Sequence, residues 1–423
     1  MTRILITNAY SARNRGDAAI ILGMIESLRQ TSAFREAEIR ISSADDRQDA
    51  RWYPEPTAPS FASLKSDFSR SPTAGQLYFL LVLLPASLAW AAAWRLAKVG
   101  LPVPRGLRGL LQTYAAADVV VAAGGGYLYS TSALRGGVVL LTNLYSFFFA
   151  VLLGKPVALY AQSIGPFAAT WQARIVRFVL ARVRLVEVRE KYSQRLIDDW
   201  KLTAPVGRAG DAAFLLEAVP PAGDSELVRS ADGPTVGMTV RGWFRSTQQQ
   251  MEYEGTIASF VQWLTRERRA SVVFLPQVTF AEGGDDDRVV ARRIAEAVQR
   301  DDRVRVVENE LSAPEMKWLC CQMDVFVGTR MHSNIFALSC GVPTLAIAYQ
   351  PKTAGIMAEL GLGDWVTTID SLDPAKLQAS FDALVARTDE IRGHLAEAVP
   401  RVMEQALDGG RLIAEVVSRG VSR

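Results

Sequence analysis

Arg330 and His332 stand two residues apart in GTRMHSNIFALSCGVPTLAIAY, residues 328–349, and His332 is one of only two histidines in 423 residues. An arginine beside a histidine can grip an oxyanion and move a proton near neutral pH. The pair follows an apolar run, MDVFVG, that reads as a buried strand, and it opens an apolar stretch that reads as a helix. A second short strand, PTLAIAY, follows a Cys-Gly-Val-Pro turn. Cations at a strand end and helix N-terminus lie where an α/β protein meets a phosphate or carboxylate, because backbone N–H groups and the helix dipole attract the same ligand. Another strand, TVGMTV, ends in Arg241. Arg241, Arg330 and His332 therefore converge on one expected sheet edge as an anion site. The other histidine, His394, falls in a charged C-terminal helix and is expected to be solvated.

Weaker candidates occupy other strand ends. After the first strand, Asn14, Gly16 and Asp17 sit where the chain turns into a helix, and Asp17 reads either as an ordinary N-cap or as a base. Gly124, Gly125 and Gly126 follow the strand DVVVAAG, where glycines either let a ligand approach the backbone or make a tight turn. Gln162 and Gln277 end the strands PVALYAQ and ASVVFLPQ, and Asp211 ends an element in GRAGDAAF. Asp285, Asp286 and Asp287 open a helix and read as first-turn charges favourable to its dipole rather than as metal ligands. No His/Cys/Asp cluster has ligand spacing, so no metal is expected. No GxSxG elbow or Cys–His arrangement supports covalent hydrolysis. Cys320, Cys321 and Cys340 are too few and unevenly placed for a disulfide framework, and a reducing cytoplasm fits them best.

Short apolar strands alternate with helical stretches in both halves, the pattern of a parallel-sheet α/β protein. The expected organisation is an N-terminal Rossmann-like domain over 1–220, a second over 235–390 and a helical tail over 391–423. The segment 218–234, rich in Pro, Gly, Asp and Ser, reads as a linker. Two doubly wound domains are expected to face each other across a cleft. Between 45 and 108 the alternation breaks, as though a hydrophobic helical insertion interrupts the first domain. Within it, residues 77–94, LYFLLVLLPASLAWAAAW, carry no charge. That run fits a membrane span, a buried helix pair, or a helix lying in the headgroup layer. Its Trp residues and the following Arg95 and Lys98 favour the headgroup layer. A second apolar run, 138–153, reads as a buried helix. The net charge of +3 gives no nucleic-acid footprint, and MTRILITNAY reads as a first strand rather than a signal peptide. The expected location is the cytoplasm, at the inner face of the plasma membrane if residues 77–94 touch it.

Taken together, NRGDAAI, AAGGGYL, AQSIGP, the VRE and GDAAF pieces, MTVRG and GTRMHSNIFALSCGVPTLAIAY resemble the polysaccharide pyruvyl transferase family, in family order from about residue 8 to 360. The resemblance implies a two-domain fold like that of GT-B glycosyltransferases. It also implies transfer of the pyruvyl unit of phosphoenolpyruvate to two hydroxyls of one sugar, giving a cyclic ketal and phosphate. The family's basic donor pattern falls on Arg241, Arg330 and His332. Asn14, Gly125, Gly126 and Gln162 are expected on the acceptor side. His332 is the expected proton carrier and Asp17 the expected base. The acceptor is a sugar of a polymer or of its polyprenyl-diphosphate-linked precursor, and no cofactor beyond the donor substrate is implied. Two other readings stay open: a nucleotide-sugar glycosyltransferase of the same architecture, and a non-catalytic membrane-associated subunit of a polymer-assembly complex.

Overall fold

The computed structural model describes residues 1–69, 71–222, 232–280, 285–298 and 301–421, so residues 223–231 of the expected linker lie outside the described residues. The chain forms two compact units. The first comprises Met1–Ala12, Ile20–Leu215 and Glu404–Arg423, and the second Arg13–Ala19 and Leu216–Met403.

The strands of the first unit are β1 (Arg3–Ala9), β2 (Glu38–Ser43), β3 (Thr57–Pro59), β4 (Val119–Ala122), β5 (Gly125–Leu128), β6 (Val157–Ile164), β7 (Leu185–Val188) and β8 (Val206–Arg208). They order as β3-β2-β1-β4-β6-β7-β8, with β5 paired to β6, and every pairing is parallel. Parallel strands are covered on both faces, and that is why β4 is a continuous Val-Val-Val-Ala run buried throughout. The sheet does not stop at residue 45, where the sequence pattern breaks: β3 still pairs with β2. The helical insertion begins only at Phe61, with helices Phe61–Phe68, Pro72–Tyr78, Leu84–Ala97 and Arg105–Ala116.

Aromatic side chains weld this insertion to the unit. Phe61 meets Tyr145 edge-on with ring centres 5.0 Å apart, and Tyr114 meets Phe149 likewise at 5.2 Å. Tyr145 and Phe149 lie on the helix Arg135–Leu152, the buried helix expected near 138–153. Pro85 lacks an N–H and its ring crowds the carbonyl four residues back. The helix absorbs this with a π-turn at Phe79–Leu83 and continues. The Ser87 hydroxyl accommodates the local irregularity, donating to the Leu83 carbonyl at 2.6 Å and lying 2.8 Å from Tyr145 Oη.

The second unit repeats the plan. Its main strands are β9 (Thr235–Thr239), β10 (Ser271–Phe274), β13 (Val304–Val306), β14 (Val325–Gly328), β15 (Thr344–Ala348) and β16 (Val366–Thr368). They form a six-stranded sheet in the order β13-β10-β9-β14-β15-β16, all parallel. A short antiparallel pair, β11 (Thr279–Phe280) and β12 (Asp285–Asp286), stands apart from it. Both sheets are doubly wound, with the strand order reversing beside the first strand of each, β1 and β9.

One expectation needs correction. Cys321 and Cys340 are joined in a disulfide. They end the neighbouring helices Ala313–Cys321 and Met331–Ser339, whose packing brings the two Cα atoms to 5.2 Å across 19 residues of sequence, a proximity no spacing rule could show. His394 is exposed, as expected, with its Nε2 2.6 Å from the Leu360 carbonyl. The expected tail is one helix, Thr388–Val421, and its part from Glu404 onward belongs to the first unit, where Tyr160 Oη donates to the Ala406 carbonyl at 2.6 Å.

Glu187 on β7 is wholly buried. Burial pushes its carboxyl well above the usual range. The folded state therefore holds this proton more tightly than the unfolded chain. Its stabilising contribution is complete below the ordinary glutamate value of about 4.3 and is lost as pH rises through the raised value. Glu187→Gln is expected to flatten that alkaline loss. Urea unfolding from acid to alkaline pH checks this, and equal slopes for both proteins would contradict it.

Candidate functional site

The second sheet reverses order between β9 and β14, and ligands in open α/β sheets bind beyond the strand C-termini at such a point. The residues that follow these strands are Arg241 after β9, Gln277 after β10, Arg330 and His332 after β14, and Tyr349 after β15. A hydroxyl network pins β9 to β14 just below them. Thr329 N donates to Thr239 Oγ1 at 3.0 Å, Thr329 Oγ1 donates to the Thr239 carbonyl, and Ser333 Oγ donates to the Arg330 carbonyl at 2.6 Å. Gly328 is required here, since a Cβ would fall 1.8 Å from Asn334 Oδ1.

Arg330 is not an open fork. Its Nη2 lies 2.5 Å from Asp287 Oδ1 and 2.7 Å from Asp285 Oδ1, and its Nε donates to Asp287 Oδ2 at 3.2 Å. Asp287 also accepts the backbone N–H groups of Gln277 and Val278, at 3.1 and 3.0 Å. The expected dipole charge of the acidic triplet is thus only part of its role. Asp286 does cap the helix Asp287–Ala297, but Asp287 is the buried counter-ion of Arg330. Burial pulls the Arg330 guanidinium down, and the two carboxylates more than offset it, holding the group above its ordinary value. Burial likewise pushes Asp287 up, and Arg330 only partly counters this. A guanidinium keeps its proton at any working pH, so the protonation state of the pair rests with Asp287.

The loop that Asp287 holds carries the segment Arg13–Ala19. Asn14 forms an antiparallel bridge with Val278, Arg15 N donates to the Gln277 carbonyl at 2.9 Å, and Thr279 N donates to the Arg13 carbonyl at 3.1 Å. Asn14 Nδ2 in turn donates to Asp17 Oδ2 at 2.8 Å. This stitching sets Gly16 against His332, so that a Cβ at Gly16 would lie 2.1 Å from His332 Nδ1.

A cavity of about 80 Å³ results, lined by Asn14, Gly16, Asp17, Gln277, Arg330, Met331, His332, Tyr349 and Lys352. Three helix N-termini open on it: those of Arg15–Arg29, Met331–Ser339 and Pro351–Glu359. The last two have no side-chain cap, and the first N–H groups of any helix lack intrahelical partners. Gln277 is buried with Oε1 unpartnered. Beside the cavity, Arg241 lies over the Tyr349 ring at 4.3 Å and over Trp243 at 5.2 Å, with Asp285 Oδ2 at 3.9 Å from its Nη2. The arrangement suits a small anion with a histidine and a carboxylate close by.

The structure therefore brings Asn14, Asp17, Arg330 and His332 to one cavity and places Arg241 against its Tyr349 wall. Gly125, Gly126 and Gln162 belong to the first unit and do not line it. Gln162 is fully buried, its Nε2 donating to Tyr127 Oη at 2.7 Å, whereas Gly126 is exposed next to Ser163 and Arg189. Sequence reasoning missed Lys352 and Tyr349 and gave Gln277 no role. A lysine in a first helical turn opposes the dipole, and that was the available signal for Lys352.

The two sheets and the strand-end site define a protein of two Rossmann-like units of GT-B type. Over its full length the chain is similar to a putative UDP-N-acetylglucosamine 2-epimerase from Listeria monocytogenes, with TM-score 0.61, 13% identity, and coverage of 100% of this chain and 97% of that one. It is also similar to Anabaena Alr3699/HepE in complex with UDP and glucose, with TM-score 0.54, 14% identity and complete coverage of both. At these identities the likeness shows the fold alone. A family profile described as polysaccharide pyruvyl transferase matches residues 14–351, and the chain belongs to that family. The amylovoran biosynthesis protein AmsJ of Erwinia amylovora is 27% identical over 427 residues, covering 98% of this chain and 99% of that protein.

Gly16→Ala is expected to drive the His332 ring from its place. A misplacement of about 1 Å costs on the order of a hundredfold in rate, so turnover should fall by that much with little change in melting temperature. Wild-type turnover in the variant would show that the contact is irrelevant.

Proposed function

We propose that the enzyme transfers the pyruvyl unit of phosphoenolpyruvate to two hydroxyls of a sugar, within a polysaccharide or its lipid-linked precursor. The observation that carries this reading is the convergence of three helix N-termini, Lys352 and His332 on one small cavity, with Arg241 at its wall. Phosphoenolpyruvate presents a phosphate and a carboxylate on a three-carbon frame, and such oxyanions suit backbone N–H groups and fixed cations. Arg241 and Lys352 are assigned to the donor's anionic groups. Arg330, neutralised by Asp285 and Asp287, positions the edge of β14 and adds a fixed N–H direction.

In the proposed reaction, the methylene carbon takes a proton and C2 gains oxocarbenium character. The first sugar hydroxyl adds to C2, the second displaces phosphate, and the C2–O bond to phosphorus breaks. The two hydroxyl protons end on the new methyl group and on phosphate, so the sum is donor plus diol giving ketal plus phosphate. His332 is assigned to proton delivery and Asp17 to hydroxyl deprotonation. Gly125 and Gly126 are proposed acceptor contacts, and the buried Gln162 backs them as the β6 partner of Gly125 and by donating to Tyr127 Oη. The name of the relative, amylovoran biosynthesis protein, supports a polysaccharide acceptor.

Phosphoenolpyruvate should raise the melting temperature of the protein, and a panel of nucleotide sugars should not. Arg241→Ala and Lys352→Ala should each weaken donor binding about 10- to 100-fold, the worth of one charged hydrogen bond. His332→Gln should still bind donor but lose about 10²- to 10⁴-fold in pyruvyl incorporation into polymer. Stabilisation by a nucleotide sugar, with none by phosphoenolpyruvate, would overturn the assignment. Arg330→Ala is the poorer probe, because an unpaired buried Asp287 costs on the order of 3–5 kcal/mol in stability.

A further inference from the structure

The helical stretch Thr73–Ala97 is 25 residues long, yet only 28% of its most apolar window is buried. Its inner face, with Phe79, Leu83, Ser87, Trp90 and Ala91, packs into the first unit. Its outer face carries Leu77, Leu81, Pro85, Leu88, Ala92 and Leu96, all exposed, at steps of four and three residues that place them in one stripe. Leu81 is 71% and Leu96 88% exposed. A surface helix of a globular protein puts charged and polar residues on that face, and this one puts none.

The charges gather at one end instead. Arg95 and Lys98 are exposed where the helix stops, Val99 and Leu101 follow, and Arg105 and Arg108 are exposed on the next helix. Residues 68–117 contain no Asp or Glu at all. An apolar ladder with a purely cationic flank suits the acyl and headgroup layers of an anionic membrane, where leucines enter the boundary and Lys and Arg meet lipid phosphates. A second copy of the chain would bring like charges together. Crossing the bilayer would strip Phe79, Leu83 and Trp90 out of the core and break the contact of Ser87 with Tyr145.

We infer that the face from Leu77 to Leu96 rests on the surface of an anionic phospholipid bilayer, with the helix lying in the plane of the headgroups. This stands apart from the donor reading, so the test omits phosphoenolpyruvate and acceptor. Full-length protein is sedimented with vesicles of phosphatidylcholine alone or mixed with phosphatidylglycerol. Binding to the mixed vesicles is expected, weakening as salt rises. The double variant Leu81→Asp, Leu88→Asp should bind roughly a hundredfold less, since each leucine loses its apolar burial, with an unchanged melting temperature. The triple variant Lys98→Gln, Arg105→Gln, Arg108→Gln should lose the preference for phosphatidylglycerol. The inference is overturned if the mixed vesicles leave the protein in the supernatant. It is equally overturned if the leucine variant abolishes a dimer instead of vesicle binding, or if the protein resists alkaline extraction as a spanning helix would.

Discussion

The site hangs on the buried pair between Arg330 and Asp287. Desolvating two charges is costly, and the cost is offset only when geometry is good and further hydrogen bonds complete the pair. Asp287 meets that condition by also accepting the N–H groups of Gln277 and Val278. The pair therefore fixes the end of β14 and the loop after β10 at once. That loop stitches Asn14 and Arg15 in place, and Gly16 then seats the His332 ring. A chain of short contacts thus runs from one ion pair to the proposed proton carrier, without any step through solvent.

With Arg330 neutralised, the proposed attraction for an anion falls to other groups. Helix N-termini supply partial positive charge that cannot titrate, and their N–H groups need no reorganisation to meet an oxyanion. Lys352 adds a cation in a first helical turn, where the dipole alone would disfavour it. Arg241 is held over Tyr349 and Trp243, which limits its freedom before any ligand arrives. The proposed donor site therefore draws on fixed dipoles and one stacked arginine more than on the pair of open forks that two strand-end arginines suggest.

Much of this was legible in the chain. Parallel buried strands write themselves as continuous apolar runs, so β1, β4, β6, β9, β10, β14 and β15 could be read directly, and with them the strand-end positions of Arg241, Gln277, Arg330 and His332. What could not be read depends on distances across the fold. Asp287 looks like any acid in a first turn until its burial against Arg330 is known. Cys321 and Cys340 look unrelated until two helices align their ends. The segment Arg13–Ala19 reads as part of the first domain by sequence order, yet its contacts join it to the second unit. Hydrophobic patterning reports which residues are buried and is silent on which partner buries them.

The same fold is found in proteins that handle UDP-sugars, and the cavity itself offers a physical ground for choosing between donors. Among the groups facing it, Lys352 and the uncapped N-termini of the helices Met331–Ser339 and Pro351–Glu359 are those of an anion site. The proposed donor, whose charge lies on a three-carbon frame, fits that chemistry. In the proposed reaction the proton needed at the methylene carbon is assigned to His332, which lines the same cavity.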